Sequence, residues 1–234
     1  MRILLAAIIL VTAPVSANAQ EKPPILVELF TSQGCYSCPP ADEVLGELGS
    51  QDDVIALGYH VTYWDRLGWP DTLGLEASTN RQYWYRGKIR SRGVYTPQMV
   101  IGGQYDVVGS NRRQVGQLLA IARDNPPALI EVGLRGDTLE LAASAGIEDD
   151  HLLQLVVFDK QHVVDIPRGE NGGKTLKYHY VVRNIVRTDG WPNDQNQIRF
   201  DIAVLELGDD QGIAVFAQDP ANGKILAAGQ YRPW

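Results

Sequence analysis

The apolar positions in the first half of the chain alternate between strand-like runs and helical spacing. Residues 25–30 and 54–63 form two largely apolar runs that are short enough for buried strands. Between them, two prolines suited to a first helical turn precede apolar residues at helical spacing, namely Pro39, Pro40, Val44, Leu45 and Leu48. The pattern predicts a β-α-β unit in which the two strands run parallel.

The pattern then predicts two further helices separated by a hairpin. A mixed segment at 73–90 is read as helical, and an apolar run at 94–101 is read as a strand. The glycine pair at 102–103 forms a tight turn into a strand at 105–108. A capping residue at 110 or 111 can start a helix that continues through Ala122, with apolar residues along one face.

After two prolines at 126–127, the chain reads as a succession of short strands separated by turn signals. We predict these strands at 128–135, 138–143, 152–159, 176–186, 198–206, 212–218 and 224–231. The two patterns together predict an α/β domain at 22–124, followed by a small all-β, sandwich-like domain at 128–234. We expect the second domain to position partners or to shield a groove of the first, and a purely structural role stays open.

The candidate chemistry lies where the first predicted strand gives way to the first helix. Cys35 and Cys38 are separated by two residues and stand directly before that helix. Unpaired N–H groups at a helix start carry partial positive charge and stabilise a thiolate. We therefore predict that Cys35 is the nucleophile and Cys38 the resolving thiol. A permanent structural disulfide and half of a zinc site are the alternatives, the latter weak because no second cysteine pair exists.

The first 19 residues are typical of an export signal. Arg2 supplies a positive start, residues 3–11 an apolar stretch too short to span a bilayer, and Ala17 to Ala19 a small-residue cleavage site. We expect a soluble periplasmic or extracellular protein, cleaved near Ala19, without stable membrane insertion. The chain has only two cysteines, and an oxidising compartment predicts that they rest as a Cys35–Cys38 disulfide.

Charge narrows the class of partner. Removing Arg2 with the signal leaves 20 of the 21 basic residues against 28 acidic ones, a net charge near −8. An acidic surface argues against nucleic acid and anionic membranes as partners. A thiol or disulfide of a protein or small molecule, together with a redox partner protein, is the expected partner set, and no cofactor is expected.

The order of elements and three landmarks resemble the thioredoxin superfamily over about residues 22–124. The landmarks are Ile25-Leu-Val-Glu28 in the strand before the motif, the Cys35–Cys38 pair at a helix start, and Thr96-Pro97 before a hairpin. The resemblance implies a cis Thr96-Pro97 bond beside the cysteines, shaping the substrate groove, although an ordinary trans proline is the alternative. It also implies that Glu28 lies under the pair and accepts a proton from Cys38, although a solvated glutamate is the alternative.

More narrowly, nearly the whole mature chain resembles the secreted bacterial domain-of-unknown-function 1223 family. That resemblance implies a fold and a compartment but no established reaction. The phrases that carry it are Glu28-Leu-Phe-Thr-Ser-Gln-Gly-Cys-Tyr-Ser-Cys-Pro-Pro-Ala-Asp42, His60-Val-Thr-Tyr-Trp-Asp-Arg-Leu-Gly-Trp-Pro-Asp71, Val94-Tyr-Thr-Pro-Gln-Met-Val100, and the segment from Gly169 to Arg183.

A dense stretch of polar and aromatic residues follows the second predicted strand, from His60 to Trp69. Core packing is one interpretation of these residues; a position at the rim of the groove is the other. We assign the candidate substrate-binding role to Thr96, Pro97, Tyr36, His60 and Trp64. The alternative function is a copper or zinc carrier that uses Cys35, Cys38 and His60.

The glycine-rich segment 169–175 invites comparison with a phosphate-binding loop. The spacing of its glycines is one residue short, and a strand rather than a helix is predicted after it, so we reject that reading. The sequence therefore predicts an exported thiol–disulfide oxidoreductase. The metal carrier and a non-catalytic interaction module with a structural disulfide stay open as alternatives.

Overall fold

One mixed sheet of eleven strands and three α-helices make up the described part of the chain, which covers residues 22–89, 91, 93–144, 147, 151–188, 191, 197–205 and 207–234 of a computed structural model. The predicted export signal lies outside these residues. The strands are β1 (Ile25–Thr31), β2 (Val54–His60), β3 (Gln98–Ile101), β4 (Tyr105–Val108), β5 (Ala128–Arg135), β6 (Thr138–Ala143), β7 (Leu152–Ile166), β8 (Lys174–Thr188), β9 (Gln197–Asp201), β10 (Gln211–Gln218) and β11 (Ile225–Tyr231). The helices are α1 (Pro39–Leu48), α2 (Glu76–Arg86) and α3 (Arg112–Asp124), with short 3-10 helices at Asp65–Leu67 and Ala203–Leu205.

The predicted β-α-β unit is confirmed. β1 and β2 pair in parallel and are buried along their whole length, which explains why both read as continuous apolar runs. α1 connects them. β3 pairs antiparallel with β1, and β4 pairs antiparallel with β3, so this part of the sheet has the order β4-β3-β1-β2. Asn111 caps α3, because its side chain accepts a hydrogen bond from the Gln114 N–H.

The sheet continues from β2 into the second half of the chain, in the order β8-β7-β10-β11-β5-β6-β9. β8 pairs in parallel with β2 through Gly58 and Val181. β7 and β8 form a hairpin of two 15-residue strands, longer than the predicted strands at 152–159 and 176–186. The outer part of β7 alternates between partly buried and exposed residues, so this extension lacks the apolar run that marks a buried strand.

β8 also crosses close to α1, where glycines make room for it. A Cβ built on Gly49 would lie 2.1 Å from the ring of Tyr180, and one built on Gly46 would lie 2.7 Å from the ring of His179. The two glycines thus let β8 pack directly on α1, which places the end of the β7–β8 hairpin near the start of that helix.

The main hydrophobic core is shared between the two halves. It includes β1 and β2 together with Val156, Phe158, Ala214 and Phe216 from β7 and β10. The Ile225 N–H at the start of β11 donates to the Gly102 carbonyl at the end of β3, at 3.1 Å. A second cluster lies within the later strands. One sheet and a shared core therefore join residues before 124 to those after 128, while the division into a thioredoxin-like and a sandwich-like unit stays a prediction.

Within the residues that the structure describes, no helix is both long enough and apolar enough to cross a membrane.

Candidate redox site

A disulfide joins Cys35 and Cys38 at the start of α1, with Cα atoms 5.4 Å apart. Cys38 is the N-cap residue, and its carbonyl accepts from the N–H groups of Ala41 and Asp42 at 2.8 and 3.2 Å. The Ser37 hydroxyl lies 3.6 Å from the Cys35 sulfur. The pair therefore stands where unpaired helix N–H groups can stabilise a thiolate.

Both cysteines are buried, while the two residues between them are exposed to solvent. Cys35 is 1% exposed and Cys38 0%, whereas Tyr36 is 67% exposed. Burial of Cys35 means that a bulky disulfide cannot reach its sulfur in this arrangement. Any exchange with a client requires a neighbouring segment to move.

The turn between β7 and β8, residues 167–173, contacts the cysteine loop directly; we call it the hairpin turn. The buried Asn171 amide donates to the carbonyl of Gln33 at 3.0 Å and to that of Cys35 at 2.9 Å. The carboxylate of Glu170 accepts from the Tyr36 N–H at 3.1 Å. The sequence linked this segment to a family resemblance and to a rejected phosphate loop but not to the cysteines, because a contact across 136 residues leaves no local pattern.

Lys174 completes the contact at the base of the hairpin turn. Its ammonium group lies 4.7 Å from the centre of the Tyr36 ring and donates to the Asn171 side-chain oxygen at 2.9 Å. The Asn171 side chain thus accepts a hydrogen bond from Lys174 with its oxygen and donates to the cysteine loop with its N–H₂ group. Lys174 therefore fixes which way the Asn171 amide points.

The cysteine loop is also tied from below, by the segment before α2. Asp71 accepts from the Gln33 N–H at 2.8 Å, and the Trp69 indole donates to the Gln33 side chain at 2.8 Å. Asp71 also lies 2.8 Å from Nδ1 of His60, which is buried beneath the loop and not at its rim. Burial raises the pKa of Asp71, but His60 and the hydrogen bonds outweigh it and leave that pKa below its usual value.

A second buried carboxyl lies beside this pair. Burial raises the pKa of Asp42 on α1 to about 7, with Asp71 adding to the rise and His60 opposing it. Among the described residues, Asp42 Oδ2, the Thr31 hydroxyl and the Tyr178 hydroxyl have no hydrogen-bond partner. The Tyr178 ring packs edge-on against His60 at 4.7 Å. We call these five residues the buried polar cluster: Thr31, Asp42, His60, Asp71 and Tyr178.

Sequence analysis did not single out Asp42. The available signal was a carboxylate one helical turn after Cys38, among positions that a helix must bury. A surface aspartate in the first turn of a helix is common enough to hide that signal.

Glu28 lies in a different network. Its carboxylate oxygens accept from Arg81 Nε and from the Tyr85 hydroxyl, and all three residues are buried. Arg81 also donates to Gln154 on β7 at 3.0 Å, so the network links the two halves of the chain. No described hydrogen bond joins Glu28 to a cysteine, and its proton-relay role stays a prediction.

Thr96 and Pro97 approach the cysteine loop through Trp64. The Thr96-Pro97 bond is cis. The Trp64 indole donates to the Thr96 hydroxyl at 2.8 Å, and its Cβ would lie 3.2 Å from a Cβ built on Gly34. Trp64 therefore bridges the residue before Cys35 and the proline segment.

Gly109 provides a second link between the proline and α1. Its N–H donates to the Pro97 carbonyl at 3.0 Å, and a Cβ on Gly109 would lie 3.0 Å from the Ala41 side chain. The structure thus brings Tyr36, Trp64, Thr96 and Pro97 to the cysteine loop, and places His60 beneath it.

No group of three or more His, Cys, Asp or Glu side chains among the described residues is arranged to hold a metal ion. The alternative ligand set of Cys35, Cys38 and His60 would need the disulfide to be reduced first. It stays a prediction.

Comparison with known proteins places the chain in a family. The X-ray crystal structure of protein AGR_C_4864 from Agrobacterium tumefaciens is similar to it, with 30% sequence identity, a TM-score of 0.80, and coverage of 92% of this chain and 97% of that one. None of the curated proteins matches. The family model described as "Protein of unknown function (DUF1223)" matches residues 26–218, which confirms the resemblance inferred from the sequence phrases. The chain belongs to DUF1223, a family of proteins of unknown function.

Proposed function

We propose that the protein is a thiol–disulfide oxidoreductase in which Cys35 exchanges with a client sulfur and Cys38 resolves the mixed disulfide. The observation that carries the proposal is the Cys35–Cys38 disulfide at the first turn of α1. Helix N–H groups favour the thiolate form that attacks disulfides. A three-residue separation places the resolving sulfur within reach of the first.

We infer a thioredoxin-like arrangement for the first half of the chain. In the strand order β4-β3-β1-β2, the parallel strands β1 and β2 are neighbours that α1 connects. The antiparallel hairpin of β3 and β4 lies on the other side of β1. Pro97 at the start of that hairpin connects to α1 through Gly109. Client backbone could align between this proline and Tyr36.

Loop size argues against a mainly stabilising disulfide. In the chain-entropy model, a bridge that closes a four-residue loop contributes only about 2 kcal/mol, compared with about 4.7 kcal/mol for a 100-residue loop. A disulfide that joined the two halves of the chain would close a longer loop and would stabilise the fold more. The short loop is typical of pairs that cycle between oxidised and reduced states.

Access requires the hairpin turn to move away from the cysteine loop. Three hydrogen bonds hold it there, two from Asn171 and one to Glu170. At about 0.5–1.5 kcal/mol net for each bond, opening costs roughly 2–4 kcal/mol. The open form would then represent roughly one molecule in thirty to one in a thousand, enough to support turnover.

The direct test is exchange between the purified protein, a dithiol reductant and a disulfide substrate such as insulin. We expect wild-type protein to accelerate insulin reduction or dithiol oxidation, and Cys35→Ala to lose the effect. A Cys38→Ala variant should accumulate client proteins covalently bound to Cys35. If the wild-type rate equals that of Cys35→Ala in both directions, the enzyme proposal is wrong.

Burial of both sulfurs favours a second candidate, an interaction module whose disulfide is purely structural. A reduction potential well below about −300 mV, together with no exchange activity, would support it. A potential nearer that of thioredoxin-type proteins, about −270 mV or higher, would support the enzyme.

We also propose that the protein acts outside the cytoplasm, on a protein or small-molecule thiol and with a redox partner protein. The proposal rests on the signal-like residues 1–19 and the acidic composition. Cell fractionation and N-terminal sequencing test it: mature protein starting near residue 20 is expected, and uncleaved protein retained in the cytoplasm would refute it.

A further inference from the structure

We propose that Asp42, backed by the His60–Asp71 pair, takes up and returns the proton of the Cys38 thiol, and that Glu28 does not. The inference rests on the proposed function. Its evidence is the buried polar cluster, which lies between α1 and β8 and belongs to neither the client groove nor the hairpin turn.

The helix places Asp42 for this role. It lies four residues after Cys38, so that the two residues share a face of α1, and both are buried. The Asp42 N–H donates to the Cys38 carbonyl at 3.2 Å. A side chain that leans back toward the helix start covers the preceding turn, which here is the turn of Cys38.

Several polar atoms of the buried polar cluster have no hydrogen-bond partner in the part of the chain that the structure describes. A site that held a permanent charge would be expected to satisfy them. Asp42 Oδ2 has no hydrogen-bond partner among the described residues, and neither do the hydroxyls of Thr31 and Tyr178. A buried carboxylate with a vacant oxygen is costly, and uptake of a proton removes that cost. The vacant oxygen is therefore available to accept a proton.

The charges around Asp42 set its proton affinity close to neutral pH. Asp71 faces it from the segment before α2, His60 from β2, Tyr178 from β8 and Glu43 from its own helix. Burial raises the pKa of Asp42, His60 and the nearby Thr31 hydroxyl lower it, the carboxylates of Asp71 and Glu43 raise it further, and the balance is about 7. A group with such a pKa can both accept and return a proton near pH 7.

Glu28 offers no comparable vacancy. Both of its oxygens already accept hydrogen bonds, one from Arg81 and one from Tyr85. The Arg81 guanidinium and these two hydrogen bonds favour the charged form of Glu28 and therefore oppose its uptake of a proton from Cys38. The contacts therefore assign Glu28 to the link between the two halves of the chain.

In the mixed disulfide, Cys35 is bonded to the client sulfur and Cys38 is a thiol. The Cys38 proton passes to the Asp42 carboxylate, and the thiolate attacks the Cys35 sulfur. The Cys35–Cys38 bond forms, the bond between Cys35 and the client breaks, and the client leaves as a thiolate that takes a proton from water. The cysteine pair is oxidised by two electrons, the client disulfide is reduced to two thiols, and a dithiol reductant restores the pair.

The test is the pH dependence of this step in the full mature chain. Reduced protein is mixed with excess oxidised glutathione, and closure of the Cys35–Cys38 disulfide is followed by acid quench from pH 5 to 10. We expect wild-type closure to rise with an inflection near pH 7. Asp42→Asn should lose that inflection and close at least about 100-fold more slowly at pH 7, the lower range for general acid–base catalysis. The two rates should converge above pH 9, where thiols ionise unaided.

The controls separate the possible failures. Glu43→Gln removes an exposed carboxylate from the neighbouring position of the same helix. Because Glu43 is the smallest contributor to the pKa of Asp42, this variant should keep the inflection, moved only slightly to lower pH. Asp42→Glu should restore part of the rate. If wild type and Cys35→Ala are equally inactive, the proposed function is wrong; if wild type is active and Asp42→Asn keeps its profile, only this inference is wrong. Should Asp42→Asn not fold, carboxyl NMR of the wild type decides: titration of Asp42 near pH 7 supports the inference, and titration near pH 4 overturns it.

Discussion

Replacing Asp42 with asparagine should remove a loss of stability that the wild-type protein suffers as the pH rises toward neutral, whether or not the cysteines take part in exchange. The folded chain buries this carboxyl and raises its pKa from 3.8 to about 7, while the unfolded chain exposes it. Between these two values the folded state binds the proton and the unfolded state releases it. The contribution of Asp42 to the unfolding free energy is therefore fully present below about pH 4, and it is lost as the pH rises through 7.

The size of the effect follows from the shift. Each pKa unit corresponds to 1.36 kcal/mol, so the full loss between pH 3 and pH 9 is about 4 kcal/mol. Between pH 5 and pH 8, linkage gives about 2.5 kcal/mol for this one group. Asp42→Asn lacks the titration. The difference in unfolding free energy between the variant and the wild type should therefore move by that amount, in favour of the variant, as the pH rises from 5 to 8.

Urea unfolding at pH 5 and pH 8, without reductant, measures this difference. A fixed gain or loss from the amide itself appears equally at both pH values and cancels in the comparison. Glu43→Gln, from the exposed side of α1, should show no pH-dependent difference beyond about 0.5 kcal/mol, as for ordinary surface sites. If the Asp42→Asn difference is the same at pH 5 and pH 8, the pKa of Asp42 is not raised and the reasoning fails.

Three further results are expected. Asn171→Ala removes two hydrogen bonds that hold the hairpin turn and should speed reduction of the disulfide by a phosphine about 10-fold. Asn222→Ala, in the β10–β11 turn, is the control and should not change the rate. Equal rates for the two variants would refute the covering role of the hairpin turn. Arg81→Met leaves the Glu28 charge buried and should cost about 3–5 kcal/mol in urea unfolding, and Arg81→Met with Glu28→Gln should cost clearly less; additive losses would contradict the ion pair. Gly49→Ala places a methyl group against the Tyr180 ring and should lower the unfolding free energy by about 1–3 kcal/mol. Gly116→Ala, on α3 with open space around it, should leave the stability unchanged or raise it. A higher melting temperature for Gly49→Ala than for Gly116→Ala would refute the packing of β8 on α1.

Local sequence patterns predicted most of the helices and strands, because the burial, turn and capping residues that define them are close together in the sequence. β1 and β2 are buried on both faces and therefore read as apolar runs. The Gly102–Gly103 turn and the Asn111 cap were also predicted correctly, since both use local backbone chemistry. The helix predicted at 73–90 is shorter in the structure, and the second strand ends at His60 because the aromatic residues after it form a turn.

The candidate site was only half visible, because its other half comes from distant residues. The cysteine pair and the proline segment carry local signatures. The contacts of Asn171 and Glu170 span more than 130 residues, and those of Asp71 with Gln33 span 38. Such contacts depend on strand register and on the pairing of β8 with β2, which no local pattern encodes.

The placement of β8 links the stability of the fold to the accessibility of the disulfide. Its pairing with β2 is confined to Gly58 and Val181, whereas it pairs with β7 from Lys174 to Thr188 and packs on α1 at Gly46 and Gly49. Because α1 also begins at Cys38, a shift of β8 along the helix would move the hairpin turn relative to the disulfide. It would also alter the contact of Tyr178 with His60 in the buried polar cluster. The β7–β8 hairpin therefore contacts the cysteine loop through its turn and the buried polar cluster through Tyr178, so exchange at Cys35 and the proposed proton transfer at Cys38 both depend on where the hairpin lies.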